Sequence, residues 1–144
     1  MLIGNLALVA ASLFTGAAFY INFAEQPALL QLDDENLLRQ WKHVYHRGYA
    51  IQASLAIVGF ILGLAAWYNT RDIRFLLGGI FMVANWPWTL FAIMPVNKVL
   101  MATAPEGADE QTRARLVQWN NLHVVRTALG GLAVITFLSG LGAP

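Results

Sequence analysis

Trp119, His123 and Arg126 stand at i, i+4 and i+7, a spacing that puts an indole, an imidazole and a guanidinium on one face of a helix. The stretch they open, Trp119 to Leu141, is otherwise apolar and has the length of a membrane span. By helical rise Arg126 lies about 10 Å deeper than Trp119, and a guanidinium at the bilayer centre costs about 2.5–3.5 kcal/mol, less toward the edge. Such a charge calls for an anion, and three sources are open: Glu25, a bound anionic or enolate ligand, or a lipid phosphate reached by snorkelling. His123 on the same face must be hydrogen-bonded, serve as a base, or ligate a metal.

Further candidates flank this trio. His43 and His46 are three apart and His43 and Arg47 four apart, so only part of the set His43, Tyr45, His46 and Arg47 can point inward. For either histidine a solvated or headgroup position is the simpler reading. In Asn85-Trp86-Pro87-Trp88-Thr89 a proline inside a helix removes one backbone bond and frees the Val83 carbonyl, which implies a kink or a cavity. Trp86 and Trp88 suit interface anchors, or stacking faces for a flat aromatic substrate.

These groups can be positioned only by helices in a membrane. The chain has 144 residues, 58% hydrophobic and 12% charged, against about 25% charged in soluble domains, with a mean hydropathy of +0.54. A soluble enzyme and a disordered chain are excluded. The net charge of +1 is too small to hold a nucleic acid by counterion release. With no cysteine, disulfides, thiolate chemistry, iron–sulfur clusters and covalently attached haem are excluded as well.

Residues 2–24, 48–70 and 75–97 contain no Asp, Glu, Lys or Arg, and 119–141 is the fourth apolar run of the same length. Each suffices to cross about 30 Å of hydrocarbon. The expected fold is all-α: one integral-membrane domain, 1–144, built as a four-helix bundle. The first run lacks a basic flank and is longer than the apolar core of a signal peptide, so it reads as a retained helix. Asp33-Asp34-Glu35 precedes Leu37, Leu38, Trp41 and Tyr45 at helical spacing, predicting a short amphipathic helix at the interface that runs into the second span. Gly107-Ala108-Asp109-Glu110 reads as the capped start of a helix continuing as the fourth span.

Alternation places the chain ends and the 69–74 loop on one side, and the long connections 25–47 and 98–118 on the other. The long-loop side carries seven Lys and Arg against Arg71 and Arg74 opposite, so it is expected to be cytoplasmic, in an inner or plasma membrane. Asn22 and Glu25 then close the first span, His43 to Arg47 open the second, Thr89 and Asn97 lie toward the end of the third, and Trp119 to Arg126 open the fourth. Most polar groups of the spans share one layer. Trp41-x3-Tyr45 and Trp119-x3-His123 hint at two helical hairpins related by a pseudo-twofold. Gly59, Gly63, Gly78, Gly79, Gly130 and Gly131 are expected to allow close helix packing.

Asn22-Phe23-Ala24-Glu25-Gln26-Pro27-Ala28, Pro87-Trp88-Thr89-x5-Pro95-x-Asn97 and Trp119-x3-His123-x2-Arg126-Thr127 together resemble the anthrone oxygenase-like family over nearly the whole chain. The resemblance implies an integral-membrane oxygenase that oxidises a flat, lipophilic phenol or enol with molecular oxygen, without flavin or haem. It also implies that Glu25, Asn97, His123 and Arg126 are the catalytic set. Trp119, Trp88, Thr89, Tyr45 and Arg47 complete the expected substrate site. His123 would be the base, Arg126 with Asn97 would hold the oxyanion, and Glu25 would orient the base or pair with Arg126. Two other readings fit the same residues. In one, His123 with Glu25, His43 or His46 ligates haem or a metal ion; in the other, the bundle is a non-enzymatic subunit or transporter. The expected partners are the lipid bilayer and a lipophilic small molecule.

Overall fold

The computed structural model describes residues 2–142; Met1, Ala143 and Pro144, the ends of the expected 1–144 domain, lie outside the described residues. Four long helices account for nearly all of them: α1 (Leu2–Leu29), α2 (Asp34–Thr70), α3 (Ile73–Ala102) and α4 (Glu110–Leu141). The fold is all-α, and each helix is long and apolar enough to cross a membrane. The chain is a membrane protein. Every helix packs along its chain neighbours and α4 closes on α1, while diagonal pairs barely touch, which is an up-down-up-down bundle.

The interfacial helix expected before the second span is not a separate element. Residues 34–70 form one unbroken helix of about 55 Å at 1.5 Å per residue, well beyond the hydrocarbon thickness. No proline interrupts it, and Leu37, Leu38 and Trp41 are fully buried against Ile93, Leu100, Leu116 and Trp119. Burial against protein, rather than against headgroups, carries the helix straight on.

The expected start of α4 holds. Asp109 accepts the Thr112 backbone N–H at 2.8 Å, and the Thr112 hydroxyl accepts the Asp109 N–H at 3.3 Å, a reciprocal cap. Asp33 likewise accepts from the Asn36 N–H at 2.9 Å to start α2. These hydrogen bonds hold both carboxyls below the usual carboxylate range. Arg113 binds the two long connections together, donating to Asp34 Oδ1 at 2.6 Å and to the Leu30 and Leu32 carbonyls. At the other end the turn between α2 and α3 puts Arg71 at φ 61°, with Asp72 capping α3.

Two helices contain a widened, π-helical turn: Ile21–Glu25 in α1 and Thr89–Ile93 in α3. In each the closing residue donates five residues back, Gln26 to Ile21 and Met94 to Thr89. In each the next residue is a proline, Pro27 or Pro95. A proline ring clashes with the carbonyl four residues before it, and a wider turn relieves that clash. Such turns turn up often at functional sites.

Two apolar clusters divide the bundle. At the short-loop end Phe14, Ala66, Phe75, Met82 and Phe137 pack together; at the long-loop end Leu37, Leu38, Trp41, Leu100 and Leu116 do so. The helices approach closely at the first cluster, where a Cβ on Gly63 would stand 2.8 Å from the Phe75 carbonyl oxygen and 3.0 Å from the Gly79 Cα. Gly131 departs from the packing expected of it: a Cβ there meets nothing within 4 Å. Between the clusters every helix contributes buried polar groups: Asn22 and Gln26, then Gln52, then Asn85 and Thr89, then His123 and Arg126.

Candidate functional site

This polar layer encloses a cavity of about 30 Å³ lined by residues of all four helices, among them Glu25, Tyr45, Thr89, Asn97, Trp119, His123 and Arg126. Two asparagines determine what the cavity presents. Asn97 Oδ1 accepts the Trp119 indole N–H at 2.7 Å, so its Nδ2 is the donor to the Tyr45 hydroxyl oxygen at 2.9 Å. The Tyr45 hydroxyl hydrogen is thereby left free for a ligand. Asn22 Nδ2 donates to the Asn120 carbonyl at 3.0 Å and to Asn120 Oδ1 at 2.7 Å. A main-chain carbonyl can only accept, so the amide cannot be reversed, and Asn22 Oδ1 faces the Thr127 hydroxyl at 2.6 Å and His123 Nδ1 at 3.1 Å. His123 must then carry its proton on Nδ1, leaving the Nε2 lone pair available. One asparagine exposes a donor and the other an acceptor.

The aromatic walls are ordered by stacking. Trp41 stacks on Tyr45 with ring centroids 4.9 Å apart, Trp119 stacks on His123 at 5.0 Å, and Trp41 meets Trp119 edge-on at 5.6 Å. The Trp-x3-ring pairs of α2 and α4 thus repeat one device, as the proline-linked π turns of α1 and α3 do.

Arg126 is 6% exposed, and its Nε has no hydrogen-bond partner. None of the four ion pairs among the described residues includes it. Its guanidinium carbon lies 5.5 Å from the centre of the Phe14 ring, a cation–π contact worth roughly 2 kcal/mol when desolvated. The expected partner, Glu25, does not pair with it. On the widened turn of α1 the inward position goes to Asn22, and Glu25 sits half-buried at the cavity rim between α1 and α2. Orientation of the imidazole, expected from Glu25, likewise falls to Asn22.

Other expectations are redistributed too. Asn97 has both amide groups engaged by Trp119 and Tyr45, so it positions those rings instead of holding an oxyanion. Trp88 is an interhelical tie, its indole N–H donating to the Leu122 carbonyl at 2.9 Å, and it does not line this cavity. His43, His46 and Arg47 are exposed on α2, with Arg47 folded back onto the His43 carbonyl at 2.9 Å. The set His123, Glu25, His43 and His46 is therefore not gathered, and the described residues contain no group of three His, Cys, Asp or Glu able to hold a metal ion. For haem, the His123 ring is stacked on Trp119 at 5.0 Å and has no second histidine beside it, since His43 and His46 are exposed on α2.

Trp41, Tyr49, Gln26, Gln52 and Asn22 are not among the expected site residues, although all but Asn22 line the cavity and Asn22 orients its imidazole. Beside Pro87 of α3 a smaller cavity of about 10 Å³ is lined by Tyr49, Asn85, Trp86, Thr89 and Arg126, among others.

The sequence pattern of anthrone oxygenase matches residues 41–136. The chain belongs to the anthrone oxygenase family. It is similar to an anthrone oxygenase of Claviceps purpurea, 26% identical over 151 residues that cover 95% of this chain and 87% of that one. To a Paecilomyces divaricatus anthrone oxygenase it is 28% identical, with 94% and 92% covered. To one of Pestalotiopsis fici it is 29% identical, with 74% and 86% covered. No solved structure matches the chain. The stretch matched to the family pattern carries Trp41, Tyr45, Asn97, Trp119, His123 and Arg126, and so most of the cavity wall.

Proposed function

We propose that this membrane protein is an oxygenase that oxidises a flat, lipophilic, enolisable aromatic, of which an anthrone is the type, with molecular oxygen. The observation that carries the reading is a buried guanidinium with no protein anion, sharing one cavity with an imidazole whose Nε2 is free. His123 Nε2 takes a proton from the carbon activated by the substrate carbonyl. Arg126 and the free Tyr45 O–H stabilise the enolate oxygen as charge develops on it, the arrangement through which preorganised donors lower such barriers.

The electron-rich enolate supplies the electrons that oxygen needs. One electron passes to dioxygen, the resulting radicals join as a carbon–oxygen bond at the deprotonated carbon, and a proton completes the hydroperoxide. Loss of water from it, with the second proton of that carbon, leaves a new carbonyl. One dioxygen is consumed per substrate, one of its atoms retained and the other released as water. We further place the long loops at the cytoplasmic face of the inner or plasma membrane, on their six basic residues, Arg39, Lys42, Arg47, Lys98, Arg113 and Arg115, against Arg71 and Arg74 opposite.

The test is oxygen uptake and quinone formation by the protein in nanodiscs supplied with anthrone, measured above the uncatalysed background. One dioxygen per quinone is expected, with His123→Ala lowering turnover about 10²–10⁴-fold while anthrone still quenches the site tryptophans. Wild-type turnover in that variant, or no uptake above background by intact protein, would overturn the reading.

A further inference from the structure

The cavity is closed at both ends of the bundle. Toward the long loops Leu37, Leu38, Trp41, Leu100 and Leu116 are all 0% exposed, and toward the short loop Phe14, Met82 and Phe137 are as well. A ligand can arrive only from the side. Between α2 and α3 the way is narrow, since the cavity there is about 10 Å³, room for about one water molecule. Between α1 and α2 the site adjoins a chamber of about 280 Å³. Ile21, Glu25, Val44, Gly48 and Gln52 line both spaces.

Gly48 has no structural need to be glycine. It lies inside a long helix, where glycine is less stable than alanine, and its φ is not positive. A Cβ there would meet only Ile21 Cδ1 at 3.8 Å, an ordinary contact, whereas at Gly59, Gly63, Gly78 and Gly130 a Cβ would collide at 2.8 Å or less; Gly16 and Gly131 are as uncrowded, but Gly48 is the glycine that lines both spaces. What the missing side chain leaves open is the wall between chamber and site. The chamber is walled by Ala17, Tyr20, Ile21, Val44 and Ile51 together with the charged Glu25 and Arg47, and Gly48 begins the uncharged run 48–70, so its mouth stands at the edge of the hydrocarbon layer, with the two charges on the headgroup side.

We propose that the site is filled from the bilayer through a lateral passage between α1 and α2, with Gly48 as its size-determining residue and an uncharged lipophile as the molecule that travels it. The site alone, at about 30 Å³, is far below the ~300 Å³ at which ligand pockets begin. A polycyclic substrate would occupy site and passage together. This goes beyond the oxygenase reading and holds whatever reaction follows.

The test reads access instead of turnover, so its failure and that of the oxygenase reading are separable. The chain has no cysteine, and Gln52, 1% exposed, lies where passage and site meet. In Gln52→Cys protein reconstituted in liposomes, the introduced thiol should react with lipid-soluble N-phenylmaleimide and resist a charged methanethiosulfonate from either face. Adding Gly48→Leu should slow the maleimide reaction at least tenfold. Should Gly48→Leu fail to fold, Ala17→Phe fills the passage from the α1 wall and carries the same expectation. An unchanged maleimide rate with the passage filled, equal reaction with the charged reagent, or no reaction in the open protein would each overturn the proposal.

Discussion

Asn22→Ala tests the central claim about the site, that an amide fixes the tautomer of His123. The substitution removes both hydrogen bonds to Asn120 and leaves the Thr127 hydroxyl and His123 Nδ1–H without their acceptor. Hydrogen bonds between membrane helices average about 0.6 kcal/mol, with a maximum near 1.7, whereas a buried donor left with no partner costs about 1–3 kcal/mol. Thr127 can turn its hydroxyl to a carbonyl of its own helix, as Thr15 does toward Ala11 at 2.7 Å. The imidazole can escape only by moving its proton to Nε2, which leaves Nδ1 a buried acceptor with no donor at the same order of cost, and Asn22 is only 3% exposed. The stranded-donor figure therefore governs, and we expect a loss of about 2–3 kcal/mol in reversible unfolding within bilayers. Asn120→Ala leaves the carbonyl that orients Asn22 and should lose under about 1 kcal/mol, one membrane hydrogen bond. Stability alone would not separate orientation from packing, so the deciding assay is ¹⁵N NMR of histidine-labelled protein. Wild type and Asn120→Ala should show His123 protonated on Nδ1, whereas Asn22→Ala should lose that preference together with about tenfold or more in turnover. An Nε2–H tautomer in the wild type, or unchanged tautomer and turnover in Asn22→Ala, would refute the reasoning.

Arg126→Leu should abolish turnover while the protein still inserts and folds, and Arg126→Lys should restore little, because an ammonium does not replace a planar fork; full turnover in Arg126→Leu would remove this residue from the site. Single cysteines at Thr70 and Ala108 should label from opposite faces of the membrane, and labelling of both from one face would sink the four-span topology. The Asp109 carboxyl is held below the usual range by the Thr112 N–H and hydroxyl, so its contribution is complete above the unfolded value near 3.9 and lost as pH falls through the lowered one. Protection of the Thr112 amide against exchange, taken relative to its intrinsic rate at each pH, should therefore fall in acid, and Asp109→Asn, which caps without titrating, should remove that fall.

The parts of this molecule legible in its sequence are those governed by periodicity and by charge. Uncharged runs of 23 residues leave helices as the only spanning structure, and Trp119, His123 and Arg126 share a face because a helix is regular. The Asp109 cap is equally local, and all of these appear in the fold. Glu25 is legible only by its layer at the end of α1, and a layer does not say which side chain of that turn faces inward. The turn before Pro27 is widened, so the inward direction after Ile21 no longer follows a 3.6-residue period, and Asn22 takes the place beside His123. His43, His46 and Arg47 were drawn to the same layer by their depth along the chain, but depth fixes a level and not an azimuth. The neighbours of α2 decide the azimuth, burying Leu37, Leu38 and Trp41 and leaving the basic groups outside.

Asparagine was the least legible residue type here, and the site depends on it most. An Asn in an apolar run announces only that it needs partners; it does not say whether it will face a carbonyl, an indole or an imidazole. Asn22 and Asn97 acquire their meaning from groups 98 and 22 residues away, one turning a histidine into an acceptor and the other turning a tyrosine into a donor. The clue that could have exposed the arrangement is the doubled order of parts, Phe-Ala-x2-Pro in α1 and α3, and an aromatic ring four residues after tryptophan in α2 and α4. If two hairpins repeat one plan, then the groups that differ at matching places, Tyr45 against His123, are where the halves divide the chemistry. On the proposed oxygenase reading one half supplies the proton donor and the other the base, and Arg126, which has no counterpart in α2, supplies the charge.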